Sequence, residues 1–157
     1  MLAYYKHLSS TATTTNQENR TDVIRNSITT MNMRYTNLVG FEHNDVLYNE
    51  FLDEKRRKEI TRWRLSNHNL RIQTGRFTHP KTPRNERICT LCNETIEDEH
   101  HVLFECIFYD EIRSSYRLLL EECDSIPIIL NPRSKKIAYE IGSYIIDIEK
   151  RRELLGI

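Results

Sequence analysis

The stretch Cys89-Thr-Leu-Cys92-Asn-Glu-Thr-Ile-Glu-Asp-Glu-His-His101-Val-Leu-Phe-Glu-Cys106 decides how the rest of the chain is read. Two cysteines stand two residues apart; eight residues then lead to His101, and four more to Cys106. A Cys-x2-Cys turn sets two sulfurs about a tetrahedral edge apart. His101 and Cys106, on the first turn of a helix and just beyond it, can close the tetrahedron. Thiolate and imidazole are the donors that structural zinc prefers, and four protein ligands leave no open position. The spacing therefore predicts one structural Zn2+ held by Cys89, Cys92, His101 and Cys106. The three sulfurs and one ring nitrogen of His101 should converge to within about 4 Å of one another. Such ligation contributes on the order of 10 kcal/mol to local folding, far more than so short a segment gains from its own core.

Other readings of these thiols remain open. They could be core or redox cysteines, and Cys89 and Cys92 could form a disulfide. A disulfide suits a secreted chain, and the start, MLAYYKHLSSTATTTNQ, lacks the basic and long apolar regions of a secretory signal. His100 and His101 are adjacent, so their rings point in different directions and one of them binds. His101 is preferred because Val102, Leu103 and Phe104 are then packing residues between the ligand and Cys106. Cys123 offers an all-cysteine set, but it falls at the far end of the next helix and reads better as a free thiol.

Outward from this site the chain reads as helical. Its 157 residues include only four glycines and four prolines, with 29% charged and 38% hydrophobic residues, which favours helices over a sandwich or barrel. No apolar run approaches the roughly 20 residues that span a bilayer. Ser9 to Asn16 reads as loop or disorder, and Thr21 or Asp22 could cap a short helix through Val23, Ile24, Ile28 and Met31. Periodicity predicts helices near 45–64, 107–122 and 134–152, and no sheet of more than two short strands. The segment 66–87, with Gly75, Pro80 and Pro83, breaks the period and reads as irregular and extended. Ser134 is a candidate N-cap, with Lys150, Arg151 and Arg152 suited to the helix C-terminus. The last two helices should pack through Ile112, Tyr116, Leu119, Ile137, Ile141 and Ile145. The expected fold is mostly α, a small helical domain around one Cys-Cys-His-Cys zinc knuckle. Residues 1–44 form a partly disordered tail with a short helix, 45–125 the basic segment and knuckle, and 126–157 a C-terminal helix packing on the knuckle helix.

The formal net charge is zero, from 23 basic and 23 acidic residues, but the two signs are segregated. Residues 1–54 carry net −3, residues 55–87 net +9, residues 88–125 net −8 and residues 126–157 net +2. A neutral total can thus hide a basic stripe able to meet phosphates. Equally, the two blocks can neutralise each other within the fold.

Beyond the ligands, a longer pattern is present. It runs Arg62-Trp-Arg-Leu-Ser-Asn-His-Asn-Leu-Arg-Ile-Gln-Thr-Gly-Arg76, then Pro83-Arg-Asn-Glu-Arg-Ile-Cys89-Thr-Leu-Cys92, then Ile96-Glu-Asp-Glu-His-His101-Val-Leu-Phe-Glu-Cys106-Ile-Phe-Tyr109, with Arg113 after it. This resembles the zinc-binding region downstream of reverse transcriptase in non-LTR (LINE-like) retrotransposon proteins, strongly over about residues 58–117. The family often has an aromatic where His100 stands and a proline where Ile107 stands. No Tyr/Phe-Ala-Asp-Asp polymerase motif occurs, and no two aspartates are adjacent. The polymerase and endonuclease parts are therefore absent from this chain, which looks like the tail of such a protein.

The resemblance implies nucleic-acid handling near a polymerase, with RNA or single-stranded DNA as partner and a reverse transcriptase as the parent protein. The candidate contact residues are Lys55, Arg56, Lys58, Arg62, Trp63, Arg64, Arg71, Arg76, Arg84 and Arg87, with Arg57 and Lys81 beside them. Phosphate contacts supply most non-specific affinity, and an exposed Trp63 could stack on a base for about 1–3 kcal/mol. Core packing is the competing reading of Trp63, and Glu97, Asp98 and Glu99 beside the site count against nucleic-acid contact, because they would repel phosphate. The second class of function is a zinc-stapled protein-interaction module, or an inert remnant. An enzyme is not expected: His68, His79 and His100 lack a carboxylate partner or nucleophile at motif spacing, His7 and His43 sit in unremarkable contexts, and a closed zinc site denies hydrolysis its open position. The expected location is intracellular, nuclear or cytoplasmic, with no membrane contact.

Overall fold

A computed structural model of the chain describes residues 45–48 and 52–157. The expectations for residues 1–44 lie outside the described residues. Helices make up most of what is described: α1 Asp45–Tyr48, α2 Glu54–Arg64, α3 Arg71–Thr74, α4 Asp110–Ser115, α5 Arg117–Glu122, α6 Ile126–Ile129 and α7 Lys135–Leu154. Short 3-10 turns cover Arg84–Glu86 and Ile107–Tyr109, and one wide π-type turn covers His101–Glu105. Among the described residues there is no strand, only an isolated antiparallel bridge between Ile88 and Ile96. No helix among them is long and apolar enough to cross a membrane.

The central element is α7. Ser134 caps it, its hydroxyl accepting from the Ile137 N–H at 3.3 Å. At the other end Gly156 takes φ +72, the left-handed geometry that suits glycine. There the Gly156 and Ile157 amides return to the carbonyls of Glu153 and Arg152, a Schellman closure of the last turn. Ile141, Tyr144, Ile145 and Ile148 recur at helical spacing and are fully buried. Each such side chain contributes about 1.5–3 kcal/mol of burial.

The most extensive helix contact joins α7 to α2. Arg56 bonds Ser143 at 2.8 Å and lies over the Tyr139 ring, while the Trp63 indole N–H donates to Glu149 at 2.9 Å. The paired numbers rise together, so these two helices run parallel. On another face Tyr116 donates to Asp147 at 2.7 Å and Arg151 to Glu111 at 2.8 Å. Here one number rises as the other falls, so α4 runs antiparallel to α7. The C-terminal helix thus packs against the basic helix at least as much as against the segment after the cysteines.

Close approach of α2 and α7 depends on Gly142. A Cβ there would lie 2.5 Å from the Arg56 Cβ and 3.1 Å from its Cα. Alanine ordinarily gains about 0.5–1 kcal/mol over glycine inside a helix. Overpacking against a neighbouring helix costs about 1–3 kcal/mol, so Gly142→Ala should lower the thermal midpoint. A raised midpoint would show that the helices separate without loss.

Two expected helices are broken. The 45–64 helix restarts at Asp53, whose carboxylate accepts from the Arg56 N–H at 3.1 Å and caps α2 as a new helix. The 107–122 helix begins as a 3-10 turn and breaks again at Tyr116, with φ −113 and ψ 23 between α4 and α5. That break turns the Tyr116 ring against Tyr144, centroids 5.1 Å apart. The 134–152 helix is observed as Lys135–Leu154. The irregular segment 66–87 contains the short helix α3.

Candidate metal centre

From Arg87 to Glu97 the chain doubles back on itself. The Cys89 N–H donates to Thr95 O at 2.8 Å, and the Glu97 N–H to Arg87 O at 2.9 Å. Asn93, at φ 57, makes the reversal, and its N–H returns to Cys89 O at 3.0 Å. Asparagine tolerates this left-handed geometry better than most residues. Asp98 then accepts from the His101 N–H at 3.0 Å. This starts the wide turn that the Cys106 N–H closes onto His101 O at 2.8 Å.

These two turns bring Cys89, Cys92, His101 and Cys106 together, with all four candidate ligand atoms within 4.8 Å of one another. The spread is wider than the expected 4 Å, but individual edges are shorter. Cys89 Sγ and Cys106 Sγ are 3.9 Å apart, and Cys92 Sγ lies 3.3 Å from His101 Nε2. A tetrahedral ion about 2.3 Å from each sulfur gives edges of about 3.8 Å. The group is therefore able to hold a metal ion. His101 is buried and points in, whereas the side chain of His100 is 55% exposed. Cys123 is buried in the core and is not part of the group.

Burial is the largest influence on the thiols of the cluster. Burial pushes the Cys89 thiol up and the Cys106 thiol up to about 12. Backbone N–H groups of Cys92 and Leu91 aimed at Cys89, and of Phe108 aimed at Cys106, work in the opposite direction by favouring thiolate. Neighbouring thiols raise both again, so a positive ion among them would relieve the mutual repulsion.

The acidic run beside the ligands has an internal role. Glu97 pairs with Arg152 of α7 at 2.6 Å and accepts from the Arg71 N–H at 2.8 Å; Tyr109 O lies 3.2 Å from the same guanidinium. Glu99 meets His68 Nε2 at 2.9 Å and accepts from the Ser66 hydroxyl at 3.3 Å. Both carboxylates are buried, so neither faces an approaching phosphate. Arg87 donates to Ile72 O at 2.8 Å and through two nitrogens to Thr82 O, while Gly75 leaves room for its side chain. Arg113 donates to Cys106 O at 2.5 Å.

Of the basic block, Lys55, Lys58, Lys81 and Arg84 are exposed. Arg57, Arg71 and Arg76 are half-buried, Arg76 donating to Gln73 at 3.3 Å. Arg62 pairs with Glu59 at 2.8 Å and Arg56 with Asp53 at 2.7 Å. Three residues of the expected contact set are committed to the fold instead. Trp63 is fully buried with its N–H on Glu149, so it offers no face to a base. Arg64 is buried, bonded to Leu130 O and Asn131, and Arg87 is committed to the carbonyls above.

Sequence reasoning also missed three residues near the site. His68 does have a carboxylate partner, but Glu99 lies 31 positions away, beyond any local spacing rule. Both side chains are almost wholly buried, which closes the pair to any substrate. Arg152 was read only as a helix-end cation. Glu105 stands four residues after His101, a helical neighbour spacing that would have pointed to it.

No protein-family model, curated protein or solved structure matches the chain.

Proposed function

We propose that the chain is a non-catalytic nucleic-acid-binding module stapled by one structural Zn2+, of the kind found downstream of reverse transcriptase in non-LTR retrotransposon proteins. Zinc is favoured over other ions by three sulfurs and one imidazole gathered in a tetrahedral-sized cluster. Cys89, Cys92, His101 and Cys106 would hold it, and the ion would supply folding energy and no open position for chemistry.

One observation carries the family reading. The residues that make the sequence pattern longer than its ligands form one connected unit in the fold: His68 with Glu99, Glu97 with Arg71 and Arg152, Asp98 with the His101 amide, Arg87 around Gly75, and Arg113 on Cys106. The burial of Glu97 and Glu99 supports nucleic-acid contact by removing two of the three charges that would repel phosphate. The contact set is then narrower than charge alone suggests: Lys55, Lys58, Lys81 and Arg84, with Arg57 and Arg76 at its margin.

A second reading, a zinc-stapled protein-interaction module, is favoured by the inward commitment of Arg56, Arg64 and Arg87. A titration separates the two. Native mass spectrometry should find one zinc per chain, and labelled single-stranded RNA should bind with strong salt dependence. Replacing Lys55, Lys58, Lys81 and Arg84 by alanine should weaken binding and flatten the log–log salt slope by about 0.7 per lost phosphate contact. An unchanged slope removes this surface from the proposal, and no binding at low salt favours the interaction module.

A further inference from the structure

The geometry points to Glu105 as the positioning residue of the metal centre: its carboxylate accepts the hydrogen bond of the His101 Nδ1–H and so aims Nε2 at the three sulfurs. The inference rests on the zinc reading above and extends it from the ligands to the group behind them. His101 Nε2 faces Cys92 Sγ at 3.3 Å, so a bound ion would meet that nitrogen. The other ring nitrogen must then carry the proton. In the structure Nδ1 is buried and makes no hydrogen bond. Glu105 Oε2 lies 3.4 Å away, on a side chain that is half exposed and able to swing closer.

The second carboxylate oxygen shows why Glu105 stays there. Oε1 lies 3.1 Å from His100 Nδ1, and the His100 ring rests against Phe104, centroids 5.3 Å apart. One carboxylate therefore spans the two adjacent histidines. The exposed histidine holds the carboxylate, and the carboxylate orients the buried one. This gives His100 a place in the site without making it a ligand. Without Glu105, the metal-bound imidazole would bury an unpaired N–H. Loss of an outer carboxylate of this type lowers metal affinity about 10- to 100-fold.

The test uses the full chain, zinc and a chromogenic competitor chelator, with Glu105→Ala, Glu105→Gln and His100→Ala. Glu105→Ala should bind zinc about 10- to 100-fold more weakly. Glu105→Gln, which keeps a carbonyl acceptor, should recover most of that loss, and His100→Ala should lose less than Glu105→Ala. In the zinc-loaded wild type, imidazole 15N spectra should show a slowly exchanging Nδ1 proton on His101 that is lost in Glu105→Ala. Equal zinc affinity in wild type and Glu105→Ala overturns the inference while leaving the zinc reading intact. Equal losses in the Ala and Gln variants, with reduced helical circular dichroism, overturn it in favour of a plain folding role. A wild type that takes up no zinc removes both.

Discussion

Cys106→Ser, or removal of metal by a chelator, is expected to unfold the module as a whole rather than loosen it locally. Magnitudes decide this. Structural zinc contributes on the order of 10 kcal/mol, whereas a domain of this size has a total stability of about 5–15 kcal/mol. The effect cannot stay within the two cysteine turns, because those turns supply partners for distant elements. Leu103 O accepts from the Tyr144 hydroxyl at 2.5 Å, and Glu97 holds Arg152. Urea unfolding followed by circular dichroism should shift to much lower denaturant, or disappear, in the stripped protein. Cys123→Ser is the control: it places a hydroxyl in the core outside the ligand group and should cost only about 1–3 kcal/mol. Superimposable transitions with and without chelator would sink the idea that metal holds this fold.

The second large effect is expected from Arg152→Ala. Burial alone would lower the pKa of Arg152, but the bonded Glu97 carboxylate reverses this and raises it, so the guanidinium stays charged inside the protein. Removing one member of such a pair strands the other charge and costs about 3–5 kcal/mol. The Asn69 carbonyl loses its guanidinium donor as well, and the stranded Glu97 carboxylate keeps only the Arg71 N–H. The double variant Arg152→Met with Glu97→Leu should be more stable than either single truncation, because no charge is left buried alone. Urea midpoints of the three variants measure this. Additive losses in the double variant would mean that the two residues act independently.

The Cys-Cys-His-Cys cluster was legible because a closed metal site would need four donors at short, fixed spacing, and spacing is what a sequence displays directly. The preference for His101 over His100 followed from what lies between ligand and cysteine, and the burial of the two rings agrees with it. The C-terminal helix was legible for a similar reason: a cap, an apolar period and a basic end all coincide there. Charge was much less informative. The net +9 of residues 55–87 could not reveal that Arg64 and Arg87 bond carbonyls, or that Asp53 and Glu59 already face Arg56 and Arg62. The acidic run was read as a surface that would repel phosphate, yet its two glutamates are internal anchors whose partners lie 26 to 55 residues away. Helix breaks at Asp53 and Tyr116 were likewise hidden. Periodicity continues through both positions, and only the tertiary contacts decide that the backbone turns there.

Trp63 has one more consequence. It is the only tryptophan in the sequence, fully buried at the seam between α2 and α7, with its N–H bonded to Glu149 and its ring 5.2 Å from that of His68. An indole shut away from water emits at short wavelength, and its emission moves to the red when water reaches it. The intrinsic fluorescence of this chain is therefore a single-site optical gauge of whether those two helices are in register, readable without any attached dye.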